Sequence, residues 1–299
     1  MTYDTEVAIF IDPDLAMNAW PDMPDTPARR LRDALEPIGT QGWWARGVYE
    51  HPALQKLQYF EKYVWGRAAS LGEPSAPVVV ATFGVFEPTF LARTYEQARA
   101  LVSRDEILDA RAAGATAALA EVLRDADVAS LSEPLLAAVQ DLDVLARPLF
   151  GGLRELPLPQ DPHGRLWRAA ELVREHRGDG HLGACLAAGL DAVEANILTE
   201  LWTGYGPGEY AATRGFSSER IAATVVRLEE RGWVSGGQLT DEGLTVRLGI
   251  EEATDRSQQE LIANLGDQIE GLITRANQFS ARIVAANGSP VDPRKRAAG

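Results

Sequence analysis

Residues 211–253 read "AATRGFSSERIAATVVRLEERGWVSGGQLTDEGLTVRLGIEEA". Ser217 or Ser218 is suited to cap a helix that presents Ile221, Val225 and Leu228 on one face, at i, i+4 and i+7. Gly232 follows as its C′ residue, where a left-handed backbone ends the helix. Trp233-Val234 then begins a short strand, "SGG" turns, Gln238-Leu239 returns, and Thr240 caps a further helix. This grammar predicts helix, two-stranded hairpin, helix, with another helix ahead of it.

The rest of the chain agrees with a mostly α protein. It has 299 residues, 45% hydrophobic and 24% charged, enough for two domains with a buried core. Alanine and leucine dominate, which favours helices. The net charge of −14 argues against reading nucleic acid through its phosphates unless positive charge is local. The single cysteine, Cys185, excludes an intrachain disulfide and fits a reducing compartment. No apolar run reaches ~18 residues, and the N-terminus has no basic n-region, so a cytoplasmic protein away from membranes is expected.

Composition divides the chain. Residues 1–26 read as an acidic, proline-spotted arm in which "TEVAIFI" is suited to a short strand. Residues 27–152 read as a helical domain, 153–164 as a proline-rich linker, 165–288 as a second domain ending in a long helix from about 241 to 286, and 289–299 as a disordered tail. "SAPVVVATFGVF" fits a buried strand or helix. Residues 81–102 lie over 212–233 at an offset of 131, and 105–114 over 241–250 at 136, which suggests a tandem duplication. The long terminal helix is amphipathic, a feature suited to a homodimer.

Helix, helix, two-stranded wing, helix is the winged helix–turn–helix. The run "RLEERGWV", a wing and then "LTDEG" resembles the MarR group of regulators, over roughly 190–260. The chain from about 27 to 285 resembles an actinobacterial helix–turn–helix family related to MarR, in which a run like "REHRGDGH" precedes the winged helix. That resemblance implies a regulator that binds DNA through Ser218, Arg220, Thr224 and Arg227 on the recognition helix. Charge weighs against it. Arg220, Arg227 and Arg231 are offset by Glu219, Glu229 and Glu230, and the short wing has no cation. DNA and a purely structural use of the winged helix both remain open.

Two other stretches carry candidate chemistry. Seven aromatics fall within residues 43–65, with Arg46, Lys62 and Arg67 interleaved. Trp43, Trp44, Tyr63 and Trp65, with Arg67, suit a pocket for a small aromatic or anionic ligand, or simply a helical core. "REHRGDGHLGA" (174–184) reads as a joint between two helices, with Asp179 as N-cap of a helix running to about Trp202. Exposed N–H groups there, with Arg177, suit an anion. His176 and His181 are candidate general bases, oriented by Glu175 or Asp179. His181 and Cys185, at i and i+4, are weak as metal ligands, and no metal or cofactor is expected. No GxGxxG, P-loop or GxSxG is present. The reading that follows is a small-molecule-binding winged-helix protein, its pocket at the joint between domains and formed by the 43–67 residues with His176, Arg177, Asp179 and His181. The alternative is an enzyme using a histidine base on an aromatic or polyketide-like metabolite.

Overall fold

The computed structural model describes Tyr3 and residues 21–298. The strand expected in "TEVAIFI" lies outside the described residues. Among the described residues the chain is mostly helical, with one small antiparallel sheet. "SAPVVVATFGVF" resolves as a helix, Ala76–Phe83, with Pro77 in its first turn and Gly84 (φ +65°) ending it.

The centre of the molecule is a 26-residue helix, Pro162–Ala187. Asp161 caps it through the His163 N–H (2.8 Å), and Pro162 occupies the first position, where no N–H is missed. It packs against helices Pro27–Gly39, Arg104–Leu123, Ala129–Val139, Pro148–Arg154 and Asp241–Arg256. Numbered in chain order, the helices are α1 (Pro27–Gly39), α2 (Gln41–Trp44), α3 (Arg46–Tyr49), α4 (Tyr59–Ala68), α5 (Ala76–Phe83), α6 (Pro88–Leu101), α7 (Arg104–Leu123), α8 (Ala129–Val139), α9 (Pro148–Arg154) and α10 (Pro162–Ala187). They continue as α11 (Ala192–Trp202), α12 (Ser218–Glu230), α13 (Asp241–Arg256), α14 (Gln259–Leu265), α15 (Ile269–Ala285) and α16 (Pro293–Ala298), with strands β1 (Val234–Ser235) and β2 (Gln238–Leu239).

Residues 174–184 are therefore not a joint. They lie inside α10, and Asp179 starts no helix. The "GDG" glycines read as breakers, but Gly180 serves close packing. A Cβ there would stand 2.3 Å from Ser257 Oγ and 2.9 Å from an Arg147 guanidinium nitrogen. Tertiary contact overrides the weak helix propensity of glycine. The break comes at Gly189 (φ +74°), where Leu190 N–H returns to Cys185 O (3.2 Å). Asp191 and Glu194 then form the capping box of α11. The turn between α10 and α11 is sharp, at 108°. Among the described residues no single helix is long and apolar enough to cross a membrane.

The opening stretch folds locally as its residues require. Ser217 accepts from Arg220 N–H (3.2 Å), and Ile221, Thr224 and Leu228 face inward. Val234 pairs with Leu239 and Ser235 with Gln238. Gly236 and Gly237 both have positive φ (+56° and +75°), as a two-residue hairpin turn demands. Thr240 accepts from Gly243 N–H (3.1 Å), and a Cβ on Gly243 would lie 2.0 Å from the Trp233 carbonyl oxygen. "LTDEG" is thus a cap plus a close approach between α13 and the hairpin. Gly243→Ala is expected to cost about 2 kcal/mol. Gly249→Ala on the same helix, where a Cβ meets nothing within 4 Å, should stabilise by roughly 0.5–1 kcal/mol. Thermal melts of the two variants would show opposite shifts, and parallel shifts would contradict this contact.

One core draws Leu31, Leu35 and Ile38 of α1, Leu119 and Leu123 of α7, Leu166 and Trp167 of α10, and Leu272 to Ile283 of α15, from both sides of the 153–164 segment. A second gathers α4 to α7, and a third holds the end of α10 with α11, α12, the hairpin and α13. The terminal helix expected over 241–286 is three pieces, α13, α14 and α15, broken at Ser257-Gln258 and Gly266. The apolar face of α15 is used against α1 within the chain. The tail expected to be disordered forms α16, which is pinned to α1. Arg32 and Arg29 donate to the carbonyls of Arg296 (2.6 Å) and Ala297 (3.0 Å).

Candidate functional site

Two adjoining cavities lie between the N-terminal helices and the α11–α13 unit. The larger, about 120 Å³, has α10 as its floor through Arg174, Glu175, Arg177, Asp179 and His181. Tyr63 and Arg67 of α4 and Phe83 of α5 form one wall. Asn196 of α11, Arg247 and Glu251 of α13, and Tyr210 and Arg214 form the other. Arg29 and Arg32 of α1, with Ala297 and Ala298 of α16, complete it. The smaller, about 50 Å³, is lined by Trp43, Trp44, Tyr59, Phe60, Lys295 and others. Tyr63, Arg174, Tyr210 and Arg214 belong to both, so they form the partition.

The structure brings most of the expected ligand residues together. Arg67, Arg177, Asp179 and His181 line the larger cavity, Trp43 and Trp44 the smaller, and Tyr63 both. Trp65 is elsewhere. It is buried in the second core, with its indole N–H on Val102 O (2.8 Å). Lys62 is committed to Tyr49, and Arg46 to Glu50 and the Tyr3 ring.

His176 points away from both cavities. Its ring nitrogen Nδ1 meets Gln258 Oε1 (2.8 Å) and the ring packs edge-on to Phe150. Burial, with Arg147 and Arg154 nearby, pushes its pKa down to about 4. His181 Nδ1 faces Thr254 Oγ1 (3.1 Å) and Nε2 faces Cys185 Sγ (3.6 Å). Burial and the Arg247 charge push it down to about 3. Neither imidazole takes a proton near neutrality, which does not suit the general-base role. Burial raises the Cys185 thiol to about 11. Among the described residues no three His, Cys, Asp or Glu side chains converge as a metal site would require.

Asp179 does cap a helix, but a different one. Its Oδ2 accepts from Phe150 N–H (3.0 Å) in the first turn of α9. Oδ1 is buried without a partner. Burial drives the carboxyl up to about 7, against the pull of Phe150 N–H. The N–H groups near 179 are spent inside α10, so the anion site expected from a helix start is absent.

Positive charge comes from elsewhere, mostly from arginines the sequence reading passed over. Seven line the larger cavity, against Glu175, Asp179 and Glu251. Glu251, 1% exposed, serves three of them: Arg177 (2.7 Å), Arg247 (2.9 Å) and Arg29 (3.3 Å). Burial alone would raise its pKa, but the three guanidiniums hold it far below the carboxylate range. Glu175 serves Arg67 (2.7 Å) and Arg174 (2.9 Å). Asp33 and Asp255, outside the lining, pair with Arg29 and Arg177, and Glu36, which lines the smaller cavity, pairs with Arg174. The Nε atoms of Arg67, Arg177, Arg214 and Arg247 are buried and have no partner. The Tyr63 hydroxyl accepts from Arg67 (2.8 Å). Burial would raise the phenol, but Arg67, Arg214 and Arg174 hold it below its ordinary value. A signal for these arginines existed. Arg247 and Glu251 occupy the inward face of α13 with Gly243, Ile250 and Thr254, a place where apolar residues belong.

The expected DNA contacts separate likewise. Ser218 is exposed on α12. Thr224 is fully buried, its hydroxyl returned to Arg220 O (2.8 Å), so it faces no groove. Arg220 and Arg227 are both held by Asp191 (3.4 and 3.0 Å), and Arg231 by Glu194 (3.4 Å).

No curated protein and no solved structure matches the chain. One family model, described as a helix-turn-helix family, matches residues 28–290, from α1 to the segment just before α16. With nearly its whole length matched, the chain belongs to that helix-turn-helix family.

Proposed function

We propose that this is a MarR-like winged-helix regulator, or a small-molecule binder derived from one, governed by an anionic ligand held in the arginine cavity. The helix-turn-helix membership supports DNA as a partner. The winged unit comprises α11, α12, the β1–β2 wing and α13. One observation carries the ligand reading: Arg247 and Glu251 of α13 line the same cavity as Arg67 of α4 and Arg177 of α10. A ligand there touches the winged unit and the N-terminal helices at once. Differential contact with two arrangements is what lets a ligand shift their populations. The helix order supports the duplication too. Displaced by 131 residues, α4 falls on α11 and α6 on α12, and α7 takes the place of α13, with no hairpin before it.

DNA contact requires Arg220 and Arg227 to leave Asp191. Each such exposed pair is worth under about 1 kcal/mol, so phosphates can compete for them. A gel shift on DNA flanking the gene, at ~50 mM salt, where electrostatic affinity is greatest, tests this. A retarded complex that Arg220→Gln with Arg227→Gln abolishes is expected. Absence of any complex at that salt would retire the regulator and leave the ligand binder.

A further inference from the structure

The end of α16 is an unusual wall for a cavity rich in arginine. The last carbonyls of a helix lack intrahelical partners and carry partial negative charge. In α16 they are spent on the cavity. Arg32 donates to Arg296 O (2.6 Å), Arg29 to Ala297 O (3.0 Å) and the Tyr210 hydroxyl to Ala298 O (3.4 Å). The same six-residue helix brings Lys295 and Arg296 to the smaller cavity, beside Arg174 and Arg214. Cations are thus stacked on a wall already rich in them. Lys295 is pushed down to about 7 by burial and by Arg214.

The wall is not self-neutral. Seven guanidiniums face Asp33, Glu36, Glu175, Glu251, Asp255 and a half-neutral Asp179. Arg177 and Arg247 line the cavity and are both more than nine-tenths buried, so water screens their charge little. A charged oxygen meets guanidinium N–H groups through shorter and stronger hydrogen bonds than a neutral one does.

We propose that the larger cavity takes a compact oxyanion of charge about −2, a phosphate or a dicarboxylate, and that α16 is a lid which the bound anion locks down. This rests on the ligand-cavity reading above and adds the ligand's charge and the moving part. The anion accepts from Arg67, Arg177 and Arg247, and its charge offsets the repulsion that α16 brings. The hinge is the segment before Pro293. Asp292 anchors it by accepting from Arg294 N–H (2.9 Å) and the Tyr205 hydroxyl (3.2 Å).

Calorimetric titration of the full chain with inorganic phosphate, and separately with succinate, at pH 7 and low salt tests this. Binding of at least one is expected, and the stronger of the two identifies the class of head group. A chain ending at Asp292, and Asp292→Ala in the full chain, should each bind at least tenfold more weakly. Should the truncated chain misfold, Asp292→Ala carries the test alone, since that residue lines neither cavity. Trypsin cleavage after Lys295 and Arg296 should slow when the anion is bound. Unchanged affinity in both variants overturns the lid and leaves the anion site standing. Tighter binding in them means that α16 competes with the anion, which also overturns the lid. Failure of both anions to bind the full chain overturns the compact dianion, and the broader ligand reading falls only if an aromatic carboxylate, benzoate, also fails to bind.

Discussion

Glu251→Gln is expected to remove about 3–5 kcal/mol of folding stability, because it takes the one shared carboxylate from three buried arginines. The Glu251 side chain is 2% exposed and lies within 3.3 Å of Arg29, Arg177 and Arg247. Glutamine keeps the shape and one acceptor oxygen, but its amide N–H groups would point at donors. Arg177 and Arg247 already carry an unpartnered Nε–H each, so no slack remains to absorb the loss. Urea denaturation at pH 7 measures the effect, with Glu252→Gln on the exposed face of the same helix as control, expected within about 0.5 kcal/mol. Added phosphate should restore part of the loss, since an anion in the cavity replaces the missing charge. A loss below 1 kcal/mol would mean that the three guanidiniums are held by other groups, and the charge balance drawn for the cavity would fail.

That cluster also shows what a sequence can and cannot display. The hairpin unit was legible because its determinants are neighbours: the Ser217 cap, the Gly236-Gly237 turn and the Thr240–Gly243 pair act within a few residues of each other. "REHRGDGH" was legible as a place where charge concentrates, but not as a helix interior. What packs α10 closely at Gly180 is Ser257 and Arg147, at least 33 residues away in sequence. The cavity arginines run from Arg29 to Arg247, and Arg67, Arg174 and Arg177 reach Glu175, Glu36 and Glu251 only through the fold, at separations of 108, 138 and 74 residues. A net charge of −14 hid them further, because the acidic excess lies largely outside the cavity that concentrates the arginines. The aromatic stretch was split for a similar reason. Trp43, Trp44 and Tyr63 share a face toward the cavities, whereas Trp65, two residues past Tyr63 on the same helix, points into the opposite core.

Asp179 supplies the second large effect, as a pH dependence. Burial raises its carboxyl to about 7, so the folded chain holds a proton there that the unfolded chain has released above about pH 4. Ionisation is therefore cheaper unfolded, and stability drains away as pH rises from about 4 to about 7, then stays low. The shift corresponds to roughly 2–4 kcal/mol at pH 8. Asp179→Asn keeps an oxygen for the Phe150 N–H but never ionises. The variant should therefore match the parent below about pH 4 and exceed it at pH 8 by roughly that amount. His176 and His181 work in the opposite sense. Both are depressed, to about 4 and about 3, so they withdraw stability as pH falls below about 6.5. Their contribution is common to parent and variant and cancels in the difference between the two denaturation curves. If Asp179→Asn weakens the fold equally at pH 5 and pH 8, the carboxylate is ionised throughout and belongs to the arginine network. The cavity would then carry about half a positive charge less, and an anion of charge nearer −1 would suit it better.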